Sequence, residues 1–321
     1  MSSYADSRVL LFGASGFIGR WVARQLTAAG AHLVCPVRDV GGARMLMAEY
    51  GIVADVVPVD LLDAAAVVRL FDVHRPTITF NLAGYGIDRS EQDETCAWRI
   101  NAELVGRLGE LVQPHTADSW TGMRLVHTGS ALEYGAIGGD LAEDSIPNPT
   151  TLYGQTKLAG TRSLVDRGLP NTVTARLFTV YGAGEHAGRL LPTLLEARRL
   201  GTTVPLSPGS QQRDFTYVED VADGLLRLGL LPSVPGGVVN LATGTLCSVR
   251  SFAQTSASVL GIPAERLDFG ALQQRNDEMP HEPVSVDRLR QSIAWVPGTS
   301  VANGVLRTAR FLDAVAERSS S

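Results

Sequence analysis

The stretch "TLYGQTKLAG" sets Tyr153 and Lys157 four residues apart, so in a helix the phenol and the ammonium share one face about a turn apart. A phenol ionises near ~10 and is a poor acid or base at neutral pH until a neighbouring cation stabilises its anion. Lys157 can be that cation. A Tyr-x-x-x-Lys pair can equally decorate a helix surface, so its surroundings decide. Upstream, residues 127–135 read "HTGSALEYG" and offer the Ser130 hydroxyl, the Glu133 carboxylate and the Tyr134 phenol. A hydroxyl at that point would stabilise a carbonyl oxygen, whereas a carboxylate would act as a proton-removing base. If the stretch stays extended, Ser130 and Leu132 share a face and Glu133 points away, leaving Glu133 a structural group and Tyr134 a packing residue.

These groups need a scaffold, and the chain supplies one. Short apolar runs, "RVLLFG", "HLVCPV", "VADVVPV", "TITFNLA", "MRLVHT" and "TVTARLF", alternate with amphipathic stretches between residues 8 and 177. Most are apolar on both faces, as strands buried between two helical layers must be. The expected fold class is therefore α/β, a Rossmann-type doubly wound parallel sheet. After about residue 178 the pattern loosens around "LSPGS" and "LPSVPGG", with one late strand candidate in "GVVNLATG". The expected division is a dinucleotide-binding domain over 1–178, with returns at about 214–245, and a smaller α/β substrate-binding domain over 179–213 and 246–321.

"VLLFGASGFIGRWVARQL" places Gly13, Gly16 and Gly19 after a strand and at the mouth of a helix. The first permits a tight turn, the second admits a diphosphate, and the third lets helix and strand pack closely, with the helix N-terminus facing the anion. At the end of the second strand a carboxylate would hold the ribose of NAD, while an arginine would attract the 2′-phosphate of NADP. "CPVRD" offers Arg38 and then Asp39, and NADP is favoured over NAD. Asp60 in "VDLLD" is placed either to meet the adenine edge or to cap a helix.

Composition excludes other classes. The net charge is −5, from 28 basic and 33 acidic residues, without a basic cluster, which argues against nucleic acid as partner. Cys35, Cys96 and Cys247 are far apart and lack metal-ligand spacing, so no metal is expected and reduced thiols in the cytoplasm are. No run approaches the ~18 apolar residues of a membrane span.

Together, "GASGFIG", "GSALEYG" and the Tyr153/Lys157 pair resemble the extended short-chain dehydrogenase/reductase family, in its nucleotide-sugar epimerase, dehydratase and ketoreductase branch. "NLAG", "RIN", "EDSIPNPTTLYGQTK", "RLFTVYGAGE", "GSQQRDFTYVEDVADGL" and "RNDEMP" follow in family order, so the resemblance covers nearly the whole chain. It implies that Ser130 hydrogen-bonds the substrate oxygen, Tyr153 transfers the proton, and Lys157 binds the nicotinamide ribose while lowering the tyrosine pKa. It implies cofactor contacts from Gly13, Ser15, Gly16, Phe17, Ile18 and Gly19, from Arg38, Asp60 and Leu61, from Leu82, Ala83 and Gly84, and from Asn101, Leu177 and Phe178. Substrate contacts would come from Tyr85, Ser130, Ala131, Thr179, Arg213 and Arg275. The bland reading of the two arginines pairs them with neighbouring acids, Asp214 for Arg213 and Asp277 or Glu278 for Arg275. A homodimer through helices around 92–113 and 150–167 is implied as well.

Departures narrow the chemistry. The resembling 4,6-dehydratases carry acidic residues where this chain has Leu132, or Ala131 and Leu132, so the elimination base is missing. Thr179 stands where many relatives have asparagine. The leading expectation is an NADPH-dependent ketoreductase of a GDP- or dTDP-linked 4-keto-6-deoxyhexose. Three alternatives remain: a 4-epimerase with tightly held NAD, a ketoreductase of a polyketide or aromatic metabolite, and a cofactor-sensing protein without activity.

Overall fold

The apolar runs become the strands of one sheet. The computed structural model describes residues 3–88, 90–115, 120–273 and 280–320. Among them β1 (Arg8–Phe12), β2 (His32–Val37), β3 (Asp55–Pro58), β4 (Ile78–Asn81), β5 (Leu125–Ser130) and β6 (Thr172–Leu177) alternate with α1 (Phe17–Ala28), α2 (Val40–Glu49), α3 (Ala64–His74), α4 (Glu94–Trp98), α5 (Leu104–His115) and α6 (Leu152–Val165). A π-helical turn, Arg99–Glu103, joins α4 to α5.

The chain continues through β7 (Thr179–Tyr181), α7 (Leu190–Leu200), β8 (Val204–Leu206), β9 (Gln212–Arg213), β10 (Phe215–Tyr217) and α8 (Val218–Gly229). It then forms β11 (Val238–Leu241), β12 (Cys247–Ser248), α9 (Val249–Leu260), β13 (Leu267–Phe269), α10 (Asp287–Ile293) and α11 (Val301–Ser320). The seven-stranded sheet has the order β11-β6-β5-β4-β1-β2-β3, with every pairing parallel. The "GVVNLATG" run is thus its outermost strand, beside β6. β7 pairs with β10, β9 with β12, and β8 with β13 in two-stranded sheets outside it.

Both faces of the large sheet are covered, which is why its strands are apolar throughout. Val9, Leu11 and Val126 belong to one buried cluster, and Leu10, Phe12 and Leu125 to the other, on the opposite face. Strand order reverses between β1 and β4, and the loops leaving their carboxyl ends open the crevice in which such sheets bind ligands. Gly13, Arg38, Leu82, Ser130 and Leu177 all follow or end strands at this edge. Among the described residues, no helix is long and apolar enough to cross a membrane.

Helix α6 packs directly against backbone on two sides. A Cβ on Gly160 would overlap the Asn101 carbonyl oxygen of the π turn, and one on Gly154 would overlap the Leu132 carbonyl oxygen. Glycine in a helix interior costs about 1 kcal/mol relative to alanine, so two in "YGQTKLAG" mark a helix pressed against backbone. Gly160→Ala should lower unfolding stability by roughly 1–3 kcal/mol through overpacking, read as a lower urea midpoint with an unchanged slope.

Candidate active site

At the end of β1 the chain turns through Gly13 at φ +77°, and a Cβ there would come within 2.6 Å of the Leu82 carbonyl carbon. The loop therefore lies directly on Leu82 and Ala83; Gly84, next along, is exposed. A Cβ on Gly19 would overlap the Gly13 carbonyl oxygen, so this glycine sets the approach of α1 to the loop. Helix α1 begins after Gly16 with no side-chain cap and no acid in its first turn. Its first amides and the positive end of its dipole are left for an anion, which fits a dinucleotide diphosphate. Ser15 is exposed there, and Phe17 and Ile18 are half-buried.

Beyond β2, Arg38 is exposed, and the Asp39 carboxylate caps α2 by accepting the Gly42 amide at 3.1 Å. The acid that complicated the cofactor signal is thus engaged with backbone. Arg38 and Arg99 both act electrostatically on the Cys96 thiol, although burial and nearby acids keep that thiol above its ordinary pKa. Arg99, overlooked in the sequence, donates to the Leu62 carbonyl at 2.6 Å, next to the half-buried Leu61. Asp60 is exposed and accepts the Leu62 amide at 2.9 Å. The cap of α3 is Asp63, so Asp60 is not that helix's cap.

Ser130 ends β5 opposite Leu177 of β6. Contrary to the extended reading, the chain then winds into a 3-10 turn, Ala131–Glu133, and the alternation of faces does not apply. The cause is a capping box: Ser130 Oγ accepts the Leu132 amide at 3.2 Å, and Glu133 Oε1 accepts the Ser130 amide at 2.9 Å. Glu133 is fully buried and its other oxygen meets Arg176 Nε at 2.9 Å. The Arg176 guanidinium lies 4.4 Å from the centre of the Tyr134 ring, whose hydroxyl donates to Asn240 at 2.7 Å. Glu133 and Tyr134 are structural here. Ala131 and Leu132 are half-buried beside Ser130.

Thr151 caps α6 by accepting the Gly154 amide at 3.1 Å, placing Tyr153 in the first turn and Lys157 in the second. Lys157 is buried and its ammonium donates to the Thr128 carbonyl at 2.5 Å. Burial pulls its pKa down to about 8, against an opposing pull from Glu133. Burial pushes the Tyr153 phenol above its ordinary value; Glu133 and Glu91 add to this and Arg189 opposes it. The resemblance implies a tyrosine shifted downward by Lys157; in the cofactor-free protein burial, then Glu133 and Glu91, shift it upward against the opposing pull of Arg189. The phenol is therefore held protonated at neutral pH.

Asn101, buried in the π turn, ties the neighbouring loop to α6. Its Oδ1 accepts the Tyr85 amide at 3.0 Å, and its Nδ2 donates to the Tyr85 carbonyl at 2.8 Å and to Thr156 Oγ1 at 3.0 Å. The next residue, Gly86, lies against the Tyr153 ring, held by Glu91, which accepts its amide at 2.7 Å. Glu91 carried no motif in the sequence.

On the far side of the crevice Leu177 is buried, and the half-buried Phe178 packs with Ala242, Val284 and Val286. Thr179 in β7 is half-buried, and its amide donates to the Asp214 carbonyl at 3.0 Å. Arg213 lies in β9 beside Cys247, and its guanidinium donates to the Gln212 carbonyl at 3.0 Å. The adjacent Asp214 is buried and accepts Thr243, Gly244 and Thr245 amides at 3.0, 2.8 and 3.3 Å. Its carboxylate therefore serves that loop. Arg275, with Asp277 and Glu278, lies outside the described residues.

A doubly wound sheet with a bare helix N-terminus at one end of its edge, and a helix bearing Tyr153 and Lys157 packed against the turn after Ser130 at the other, is the arrangement of a dinucleotide-dependent enzyme class. The chain belongs to the NAD dependent epimerase/dehydratase family, whose model matches residues 9–242, and is an NAD(P)-dependent enzyme of the oxidoreductase type. It is 30% identical over 316 residues to dTDP-6-deoxy-L-talose 4-dehydrogenase (NAD(P)(+)) of Kitasatospora kifunensis, covering 94% of both chains. It is 28% identical to a UDP-glucose 4-epimerase of Mycolicibacterium smegmatis, over 95% of this chain and 98% of that one. Among solved structures, the epimerase Mth375 of Methanothermobacter thermautotrophicus superposes with a TM-score of 0.83 at 24% identity, over 98% of this chain and 94% of that one. MoeE5 in complex with UDP-glucuronic acid and NAD gives 0.77 at 26%, over 96% and 99%.

The lowered Lys157 pKa has a definite pH signature. The unfolded lysine binds its proton up to about 10.5 and the folded one only up to about 8. Between those values the unfolded state holds more protons, so stability rises with pH. In urea titrations of the cofactor-free protein at pH 8, 9 and 10, the stability of the wild type relative to Lys157→Met should therefore increase with pH. A flat difference would mean an ordinary lysine.

Proposed function

We propose that this protein is an NADPH-dependent ketoreductase that reduces the 4-keto group of a nucleotide-linked 4-keto-6-deoxyhexose, of the dTDP or GDP type. The observation that carries this reading is a protonated Tyr153 on a helix packed against the turn that follows Ser130, with Ala131 and Leu132 where an elimination would need acids. The Ser130 oxygen already accepts the Leu132 amide, which leaves its O–H to donate to a substrate carbonyl. A bound nicotinamide supplies the hydride. Tyr153 gives its proton to the carbonyl oxygen while Ser130 stabilises the charge developing there. Lys157, anchored on the Thr128 carbonyl, keeps a cation beneath the phenol as it ionises.

Arg38 and Arg99, near the end of β2, support a 2′-phosphate and hence NADPH, the more so because Asp39 is turned to its helix cap. Relatives named dTDP-4-dehydrorhamnose reductase, from Streptomyces griseus at 30% identity, and probable dTDP-4,6-dihydroxy-2-methyloxan-3-one 4-ketoreductase, from Streptomyces antibioticus at 28%, support the substrate class. In this reading the segments outside the seven-stranded sheet form the substrate-binding part, with Thr179, Arg213 and Tyr85 facing the sugar nucleotide. A homodimer through α4 and α6 fits the exposed Trp98 and the cavity of about 640 Å³ it lines with Pro147, Pro149 and Leu158. The three unpaired cysteines fit a cytoplasmic location.

The second reading is a 4-epimerase, favoured by the UDP-glucose 4-epimerase relatives. The purified protein should consume NADPH stoichiometrically with a 4-keto sugar nucleotide and carry no NAD absorbance. Retained NAD with no net NADPH use would reverse the choice. Tyr153→Phe should lower kcat by about 10²- to 10⁴-fold, the usual worth of a positioned acid. Arg38→Ser should raise the KM for NADPH and leave that for NADH unchanged.

A further inference from the structure

Arg176 of β6 stands directly opposite Gly129 of β5 in the sheet register. The space that a side chain at 129 would fill is taken by Glu133: a Cβ on Gly129 would overlap Glu133 Oε1 and come within 3.3 Å of Arg176 Cγ. The glycine of "HTGS" thus makes room for an ion pair that is 3% exposed on the arginine and 0% on the glutamate. Glu133 Oε2 meets Arg176 Nε at 2.9 Å, and the guanidinium lies 4.4 Å from the centre of the Tyr134 ring, so the arginine is fixed from two sides.

Stability alone gives no reason for a charged pair here. Desolvating two charges costs about as much as their attraction returns, and an apolar pair of the same volume often serves as well or better. What the charge adds lies around it. Glu133 acts electrostatically on both Tyr153 and Lys157. Lys157 is anchored on a neutral acceptor, the Thr128 carbonyl. A carboxylate free to move in that range would compete for the ammonium, because a hydrogen bond between two ions is roughly twice as strong as one between neutral groups. Neither oxygen of Glu133 is free: Oε1 accepts the Ser130 amide at 2.9 Å, and Oε2 is held by Arg176.

We propose that Arg176 is a positioning residue: it holds the Glu133 carboxylate on the Ser130 amide and off Lys157, so that Ser130 keeps its turn and Lys157 keeps its anchor on Thr128. The proposal rests on the reading of Ser130, Tyr153 and Lys157 as the reacting group. Arg176 acts through Glu133 and needs no contact with substrate or cofactor.

Arg176→Met should lower kcat by about 10- to 100-fold, less than loss of the acid itself, and leave the KM for NADPH unchanged. Adding Glu133→Gln to that variant should recover about tenfold, because the loose carboxylate is gone and the two effects are coupled. A second readout needs no substrate. Between about pH 8 and 10.5 the wild type gains stability over Lys157→Met as pH rises. In the Arg176→Met background, a lysine paired with the released Glu133 keeps its proton further up the scale, so that gain should shrink. His127, also in electrostatic reach of Lys157, is held neutral by burial and by the lysine and does not enter this range. A folded Arg176→Met with a lower Tm but wild-type kcat and an unchanged pH slope would have lost structure only, and the proposal falls. A double variant slower than Arg176→Met also sinks it. If Arg176→Met does not fold, Arg176→Lys keeps the cation but not the rigid Nε donor: a reduced kcat at wild-type KM supports the proposal, and a wild-type kcat overturns it. A wild type that oxidises no NADPH with any 4-keto sugar nucleotide refutes the ketoreductase reading alone, and the pH slope then decides this one.

Discussion

Lys157 reaches the Thr128 carbonyl only because α6 lies almost in contact with backbone on two sides. Gly154 admits the Leu132 carbonyl and Gly160 the Asn101 carbonyl, so the helix is pinned between the turn that follows β5 and the π turn before α5. Tyr153 and Lys157 inherit their places from that packing. A side chain at Gly154 would push the helix off the turn that follows Ser130, and one at Gly160 would push it off the π turn.

One buried carboxylate links the electrostatics to this geometry. Glu133 closes the capping box that orients Ser130, pairs with Arg176 and raises the pKa of both Tyr153 and Lys157. Breaking a buried pair by removing one partner typically costs about 3–5 kcal/mol because an uncompensated charge remains. Here Glu133 also adds to the burial that raises the Tyr153 phenol and opposes the burial that lowers Lys157. Fold stability and the acid-base state of the site thus rest on the same group.

The cofactor end follows a different logic, built from backbone. Gly13 and Gly19 bring a strand, a loop and a helix N-terminus together, and no acid in the first turn of α1 competes for its amides. Beyond that loop, exposed arginines stand at the ends of β2 and α4, Arg38 and Arg99, both acting on the Cys96 thiol.

The sequence by itself determined the strands of the sheet and the strand, glycine turn and helix at Gly13, and it singled out Ser130, Tyr153 and Lys157 as candidates, because these depend on local periodicity and short spacing. Strand register, by contrast, is a long-range property, and it alone brought His127 next to Thr174 and Ser130 next to Leu177. The turn after Ser130 was misread because its 3-10 form depends on Glu133, whose burial against Arg176 lies 43 residues away in sequence. The same holds for Asp39 and Asp60: a carboxylate near a helix start has several local uses, and only the folded chain shows which amide it meets. The tyrosine's upward shift was invisible for a related reason. Spacing reports which charges are near, but desolvation depends on everything packed around them, and here it decided the sign.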